Sequence, residues 1–453
     1  MQTPTITISV ILTIMVLFLP RKWILFPFVM AACIVPADQR VIIMGLDFTP
    51  LRILVLFGIL KLFISGSNTN LRWNLFDKLI LIWMITGTII YVIQWQTMAS
   101  VIYKSGVMFD CLGLYYIFRL SLTSWDDVHF MIKLLALFAI LSAPLMFYER
   151  ITQESLFSIF GRSAAMFHRG RFRCSGPFPH PIMMGLFWAV LLPLFYGHVK
   201  AGRNKAFYYT AIAATTICVI LSGSSTPILT VWAIIVFWLI YRFRMYGKEI
   251  TIALVCMIAG LHMVMKAPVW HLIARVNIFS GSTGWHRYRL IDMTIVHFSE
   301  WALIGCKNVE RWGVYAGDIT NQFIIEGVTG GLVTMLIFIF IVGYAVRLTG
   351  RSSLIPQIAQ NKWACWAMCV SILGHCVSFF GVSYFGQITM LLYLQFACVS
   401  FMGQHRNIAT APVKTTIKRN PRSLVRVNEC LKTYQKPGLA NNIILKNKIN
   451  QSI

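Results

Sequence analysis

Apolar residues in this chain come in long runs separated by short polar breaks, not in the alternating or one-faced stripes of soluble strands and helices. Runs near residues 5–19, 23–37, 50–66, 77–95, 100–118, 128–147, 182–199, 206–221, 226–241, 249–265, 321–346, 363–382 and 384–403 stand out. They approach or reach the ~20 residues that a helix needs to cross a hydrocarbon core of ~30 Å. The pattern predicts an all-α, polytopic integral membrane protein with about 12 to 13 transmembrane helices, of which the first two are the shortest. The opening MQTPTITISV has neither a basic n-region nor a small-residue cleavage site, so the first helix is expected to stay in the mature protein.

Two polar intervals are too long to be turns, 148–181 and 266–320. Within the second, the segment 282–305 opens on Ser, Thr and Gly. Leu290, Ile291, Thr294, Ile295, Phe298, Trp301 and Leu303 then recur near helical spacing, which predicts an amphipathic helix lying on or dipping into a leaflet. Short breaks rich in Lys and Arg, around Arg21 and Lys22, Arg72 and Lys78, Arg119, Lys200 to Lys205, Arg242 to Lys248, and Arg347 to Lys362, alternate along the chain. By the positive-inside rule these face the cytoplasm. Both long loops then face outward and the tail inward.

Composition agrees with this class: 57% of residues are hydrophobic, 14% aromatic and only 12% charged. The net charge of +25 divides unevenly. The segment 404–453 carries ten Lys or Arg against the single acid Glu429 and has no apolar periodicity, so it reads as a disordered basic tail held near anionic headgroups, with no nucleic-acid role. Most of the rest follows the cytoplasmic breaks, yet the outward loops are basic as well. Arg150, Arg162, Arg169, Arg171 and Arg173 stand in the first, and Lys266, Arg275, Arg287, Arg289, Lys307 and Arg311 in the second. Translocating so much positive charge opposes the orientation rule, which points to a use for it.

Several chemistries are absent from the sequence. It has no GxxxxGK[ST] loop, no GxGxxG after a strand, no HExxH and no metal-ligand spacing, so neither cofactor nor metal is expected. The eleven cysteines lie mostly in the apolar runs and read as packing residues; Cys174 and Cys306 alone fall in outward loops, where a disulfide between them is open. Asp110 and His375 lie deep in their runs and fit either a relay or an interhelical hydrogen bond.

The stretch RFRCSGPFPHP, residues 171–181, is the most concentrated site signal. A guanidinium is a permanently charged, planar fork of donors suited to phosphate oxygens. Arg171 and Arg173 precede a helix whose first amides are free to bind an anion. Gly176 permits close backbone approach, and Pro177, Pro179 and Pro181 stiffen the entry around His180. Taken alone, the stretch reads better as headgroup contacts and a helix cap. Arg287 and Arg289 repeat the arrangement at the start of the amphipathic helix. Arg52, at the outward end of its own run, fits either the same headgroup or snorkelling. Asp318 stands just before the next apolar run, as an N-cap for a helix beginning near Thr320 or as a catalytic acid.

Five motifs in order then resemble the O-antigen ligase and O-antigen polymerase superfamily, and its bacterial exopolysaccharide polymerases in particular. They are Glu149-Arg150, RFRCSGPFPHPIMMG from Arg171, SGSSTP from Ser222, STGWHRYRLID from Ser282 and DITNQFIIEGVTGGL from Asp318. The resemblance covers about residues 45 to 400. It implies glycosyl transfer at the outer face of the bacterial cytoplasmic membrane, from a polyprenyl-diphosphate-linked oligosaccharide, typically on undecaprenol, to another glycan hydroxyl. Ligases of the superfamily carry a histidine near the end of the large outer loop; Asp318-Ile-Thr-Asn321 stands there in this chain, which argues for a polymerase.

The resemblance implies a metal-independent inverting displacement. Arg173, with Arg171 and Arg287 or Arg289, would bind the diphosphate, joined by Arg52. Asp318, His180, Glu300 and Glu149 are the candidates for a general base, with Asp318 first; Glu149 fits better as the structural partner of an arginine. Besides the lipid-linked oligosaccharide and the bilayer, it admits a chain-length regulator and a flippase as partners. A ligase, a transporter or flippase of lipid-linked glycan, and a non-catalytic assembly partner are the rival readings.

Overall fold

The computed structural model describes residues 1–43, 46–64, 72–162, 166–168, 170–275, 284–313 and 317–410. The basic tail from residue 411 onward lies outside them.

Every long apolar run falls on helix. The first half of the chain contributes α1 (Thr3–Phe18), α2 (Leu25–Ile34), α3 (Pro50–Ile64), α4 (Leu75–Trp95), α5 (Met98–Ser121) and α6 (Trp125–Thr152). The run after RFRCSGPFPHP gives α7 (Pro181–Ala189) and α8 (Leu192–Lys200), followed by α9 (Lys205–Leu221), α10 (Ser225–Leu239) and α11 (Gly247–Val264). The second long interval holds the short α12 (Leu272–Arg275), then α13 (Gly284–Val296) and α14 (Phe298–Trp301). The chain then enters α15 (Gln322–Ser352), α16 (Lys362–Phe379) and α17 (Gln387–Thr410). Among the described residues, seven helical segments are long and apolar enough to cross a membrane: Leu75–Trp95, Met98–Ser121, Trp125–Thr152, Pro181–Lys200, Ser225–Val264, Gln322–Ser352 and Pro356–Phe379. This is an all-α membrane protein.

Helix starts follow local chemistry. Asn74 with Asp77, and Ser124 with Asp127, form reciprocal capping boxes at α4 and α6. At α15 the cap is Asn321, whose Oδ1 accepts from the amides of Phe323 and Ile324 at 2.9 and 3.1 Å. Asp318, expected as the possible cap, lies outside the helix, because Asn321 occupies the position from which a side chain reaches those amides.

One helix stops short. α2 has ten residues, about 15 Å at 1.5 Å per residue, although its apolar run was expected to continue to residue 37. Pro36, Asp38, Gln39 and Arg40 end it. The chain then forms an antiparallel hairpin of β1 (Val41–Ile43) and β2 (Leu46–Phe48) before α3 begins. A second hairpin, β3 (Met166–His168) with β4 (Arg171–Arg173), places Arg173 opposite Met166.

A polar tie holds α4, α5 and α17 together. Asp77 accepts from Tyr115 Oη at 2.6 Å and Ser400 Oγ at 2.7 Å, and Arg119 lies 3.4 Å away, all with little or no exposure. A buried ion pair is tolerable only when so fully hydrogen-bonded.

The second long loop is anchored into a break in α15. At Gly331 the helix departs from helical geometry, with φ 70° and ψ 174°. There Leu332 N donates to Ala302 O at 2.8 Å and Cys306 N to Val328 O at 2.9 Å. A Cβ on Gly331 would lie 2.5 Å from Leu303 O, so the VTGGL sequence is what lets the loop backbone in. The expected amphipathic helix divides near His297. Its Leu290, with Trp301, packs on Ile324 and Val328 of α15 in a small second core, while Ile295, Phe298 and Leu303 remain exposed. Cys174 and Cys306 are both free thiols, so the disulfide left open between them does not form.

Candidate active site

The two long loops meet at the start of α10. Arg173, at the end of β4, donates from Nε to Ser222 O at 3.3 Å and from Nη2 to Ser224 Oγ. Arg287, in the first turn of α13, donates from Nη2 to Thr226 Oγ1 at 2.8 Å and from Nε to Gly381 O at 3.2 Å. Ser224 and Thr226 are two residues apart, so guanidinium groups from separate loops are held over one helix start. Ser224 is the N-cap of α10 but makes no capping bond of its own; its hydroxyl is taken by Arg173 and by Ser222 O. The first amides of α10 thus have no side-chain cap.

The electrostatics of this pair differ from those of the neighbouring arginines. Arg52 is bidentate on Asp110 at 2.9 and 2.6 Å, Arg162 pairs with Asp38 at 2.6 Å, Arg289 with Asp292 at 3.4 Å, and Arg311 with Glu300. Arg173 and Arg287 have no carboxylate partner among the described residues. Both are half-buried, and burial pulls both guanidinium groups below their ordinary value. Arginine nevertheless remains charged. Each leaves Nη1 without a hydrogen bond among the described residues. Two uncompensated, partly desolvated cations beside free amides form a site that an anion with several oxygens would stabilise.

Of the other expected residues, Asp318 comes close. His286, which precedes Arg287, bonds through Nε2 to Asp318 O at 3.0 Å, and the Asp318 side chain is exposed. Its carboxylate has no hydrogen bond or ion pair among the described residues. His180 caps α7, with Nδ1 accepting from Ile182 N at 3.1 Å, so that nitrogen is already engaged. Glu300 is tied to Trp312 Nε1, His297 Nδ1 and Arg311 at once, and these contacts pull its carboxyl down to about 2. So acidic a group is a poor proton acceptor near neutrality. Arg289 turns to Asp292, away from the pair, and Arg52 is occupied by Asp110 and by Asp47 O. The side chain of Arg171 lies outside the described residues. Glu149 was expected to pair with an arginine, but among the described residues it has no ion pair: its two oxygens accept from Ser175 N and Gly176 N, each at 3.0 Å, and fix the turn after Arg173.

The residues that complete the pair were less visible. Ser224 and Thr226 lie in the SGSSTP motif without having been given a role, and Gly381 lies in a loop that carried no signal. That loop is pinned from behind. Gln322 Oε1 accepts from Tyr384 N at 2.7 Å, Gln322 Nε2 donates to Glu326 at 2.8 Å, and Trp83 Nε1 donates to Glu326 at 3.0 Å. Glu326, an acid within an apolar run, was the one available hint. His375 belongs to the same support, its Nδ1 bonded to Tyr384 Oη at 2.7 Å. Among the described residues no three His, Cys, Asp or Glu side chains gather as a metal ligand set.

The chain matches no protein-family model, and no curated protein matches it significantly.

Proposed function

We propose that this chain is a polysaccharide polymerase, a glycosyltransferase that joins polyprenyl-diphosphate-linked oligosaccharide repeats on the outer face of the bacterial cytoplasmic membrane. The observation that carries this reading is the convergence of Arg173 and Arg287, neither with a carboxylate partner, on the start of α10. The five sequence motifs that resemble the O-antigen ligase and polymerase superfamily supply the substrate class; the arginine pair supplies the chemistry.

As the bond from the anomeric carbon to the diphosphate breaks, negative charge grows on the leaving oxygens. Donors already aimed at that charge lower the barrier to the extent that they bind it more strongly than the ground state. Thr226, Ser224 and Gly381 hold the two forks in place, so little reorganisation is needed. Asp318, beside the first turn of α13 and with its carboxylate uncommitted among the described residues, is the base that takes the proton of the acceptor hydroxyl. Inversion in a single displacement fits the absence, among the described residues, of a nucleophile and base pair near the arginines. In this reading the arginine end of the bundle faces outward, the basic tail is cytoplasmic, and the bundle has about 12 to 13 crossings.

The test is the glycan that accumulates on the polyprenyl carrier when the gene is deleted, extracted and sized by mass spectrometry. Single repeats facing outward are expected. Long chains retained on the carrier would make the protein a ligase, and single repeats trapped on the cytoplasmic face would make it a transporter.

A further inference from the structure

A cavity of about 310 Å³ lies where α2 ends and α3 begins. It is bounded by the chain leaving α2, the start of α3, the middle of α5, Pro179 and the segment from Phe385 to Thr389. Two of these walls are continuous with the arginine site: Pro179 is six residues after Arg173, and Phe385 is four after Gly381, whose carbonyl holds Arg287. The volume is at the lower end of the ~300–1,000 Å³ of ordinary ligand pockets, room for a single ring and not for a chain.

The polar groups on its walls are acceptors with spare capacity. Asp110 and Asp38 line it, each neutralised from behind, by Arg52 and Arg162 respectively. Each carboxylate keeps lone pairs beyond those its arginine uses. Gln387 also lines it and is 1% exposed; its Nε2 donates to Val35 O at 3.1 Å and Pro177 O at 2.8 Å, while its Oε1 has no partner. A buried acceptor without a donor carries a desolvation cost that a ligand hydroxyl would relieve. Leu51, Val55, Leu114, Pro179 and Phe385 add apolar surface, and the hydroxyl residues Thr49 and Thr389 line the cavity as well. Acceptors on one side, hydrocarbon on another and no unpaired charge describe the complement of a neutral pyranose, which has hydroxyl donors around its rim and C–H groups on its faces.

We infer that this cavity binds one neutral sugar ring of the glycan substrate, next to the diphosphate held by Arg173 and Arg287. The inference rests on the polymerase reading for the identity of the substrate, but its geometry is independent of the arginines. The occupied cavity fixes the glycan relative to the reacting bond, which gives the rigid GPFPHP turn a purpose: Gln387 ties it at Pro177, and Arg162 ties it at Pro179 O at 3.2 Å.

The experiment uses the full chain in lipid nanodiscs and two probes. Saturation-transfer NMR reads contact with the methyl glycosides of glucose, galactose, mannose and N-acetylglucosamine; phosphorus line broadening reads inorganic pyrophosphate. Two filling variants, Ala37→Phe in the chain leaving α2 and Leu51→Phe at the start of α3, are compared with the unmodified chain. Contact with at least one glycoside, lost in the filled variants while pyrophosphate broadening persists, is the expected result. No contact from any glycoside, or contact unchanged in both filled variants, overturns the inference. Cavity-dependent sugar contact without any pyrophosphate broadening would uphold the sugar site and count against the polymerase reading instead.

Discussion

The guanidinium of Arg287 donates to the hydroxyl of Thr226 at 2.8 Å across 61 positions of chain. That bond brings the second long loop to the start of α10, where Arg173 of the first loop is already bound to Ser224. It makes one site from two basic loops. The cost of holding two half-buried arginines without carboxylates is explained if a polyanionic ligand completes them.

Because the fork of Arg287 uses Nε and Nη2 on two different acceptors, Arg287→Lys keeps the charge and loses the geometry. Polymer yield in membranes with matched protein levels is expected to fall by about 10²- to 10³-fold for Arg287→Ala, and Arg287→Lys to recover only a minor part. Full recovery by lysine would mean that only charge matters.

Thr226→Val is nearly isosteric and removes just the hydroxyl that orients Arg287. Loss of one hydrogen bond to a charged group should slow polymerisation about tenfold, near 1.5 kcal/mol. The loss should be smaller than for Arg287→Ala, and the helix content of the purified protein should be unchanged by circular dichroism. An effect as large as deletion of the arginine would assign Thr226 a direct role with substrate.

The break in α15 gives a stability prediction. Gly331→Ala forces a side chain into φ 70° and toward Leu303 O. Such strain costs about 1–3 kcal/mol, so the unfolding temperature in detergent should drop, and protease cleavage within 284–313 should accelerate as the loop loses its anchor. An unchanged unfolding temperature would contradict the role given to the VTGGL turn.

Substitution separates the candidate bases, and acid unfolding reads the environment of Glu300. The carboxyl of Glu300 is pulled down to about 2 in the folded chain by Trp312, His297 and Arg311. Since this folded value is depressed, its contribution to stability is complete above the ordinary glutamate value, near ~4.3, and is lost as pH falls from there toward about 2. Glu300 stays ionised between pH 5 and 8 and is held by three donors, so Glu300→Gln is expected to leave the rate there nearly unchanged, whereas Asp318→Asn removes most of the rate. Loss of most of the rate in Glu300→Gln would move the base to Glu300.

How far the sequence carried this account depends on the kind of signal. Apolar runs such as 77–95 and 128–147 declare their helices because nearly all of their residues are apolar over a length that spans a bilayer. α2 is shorter than its run, because Pro36 and the polar residues after it outweigh hydropathy at its end. Arg173 and Arg287 were visible as arginines at helix starts, but so were Arg52 and Arg289. What distinguishes them is the partner: Asp110 is 58 residues from Arg52 and Asp292 is three from Arg289, and neither pairing follows from composition. Gly381 escaped notice because it contributes a backbone carbonyl, which no residue type announces. Glu300 looked like a base until its three donors were in place.

The most direct test of the central claim is polymer formation in cells whose own gene is deleted and replaced by Arg173→Ala or Arg287→Ala, with membrane levels of each variant matched to the unmodified protein. The account predicts that both abolish polymer and accumulate single repeats on the polyprenyl diphosphate carrier. Normal polymer from both variants would contradict it.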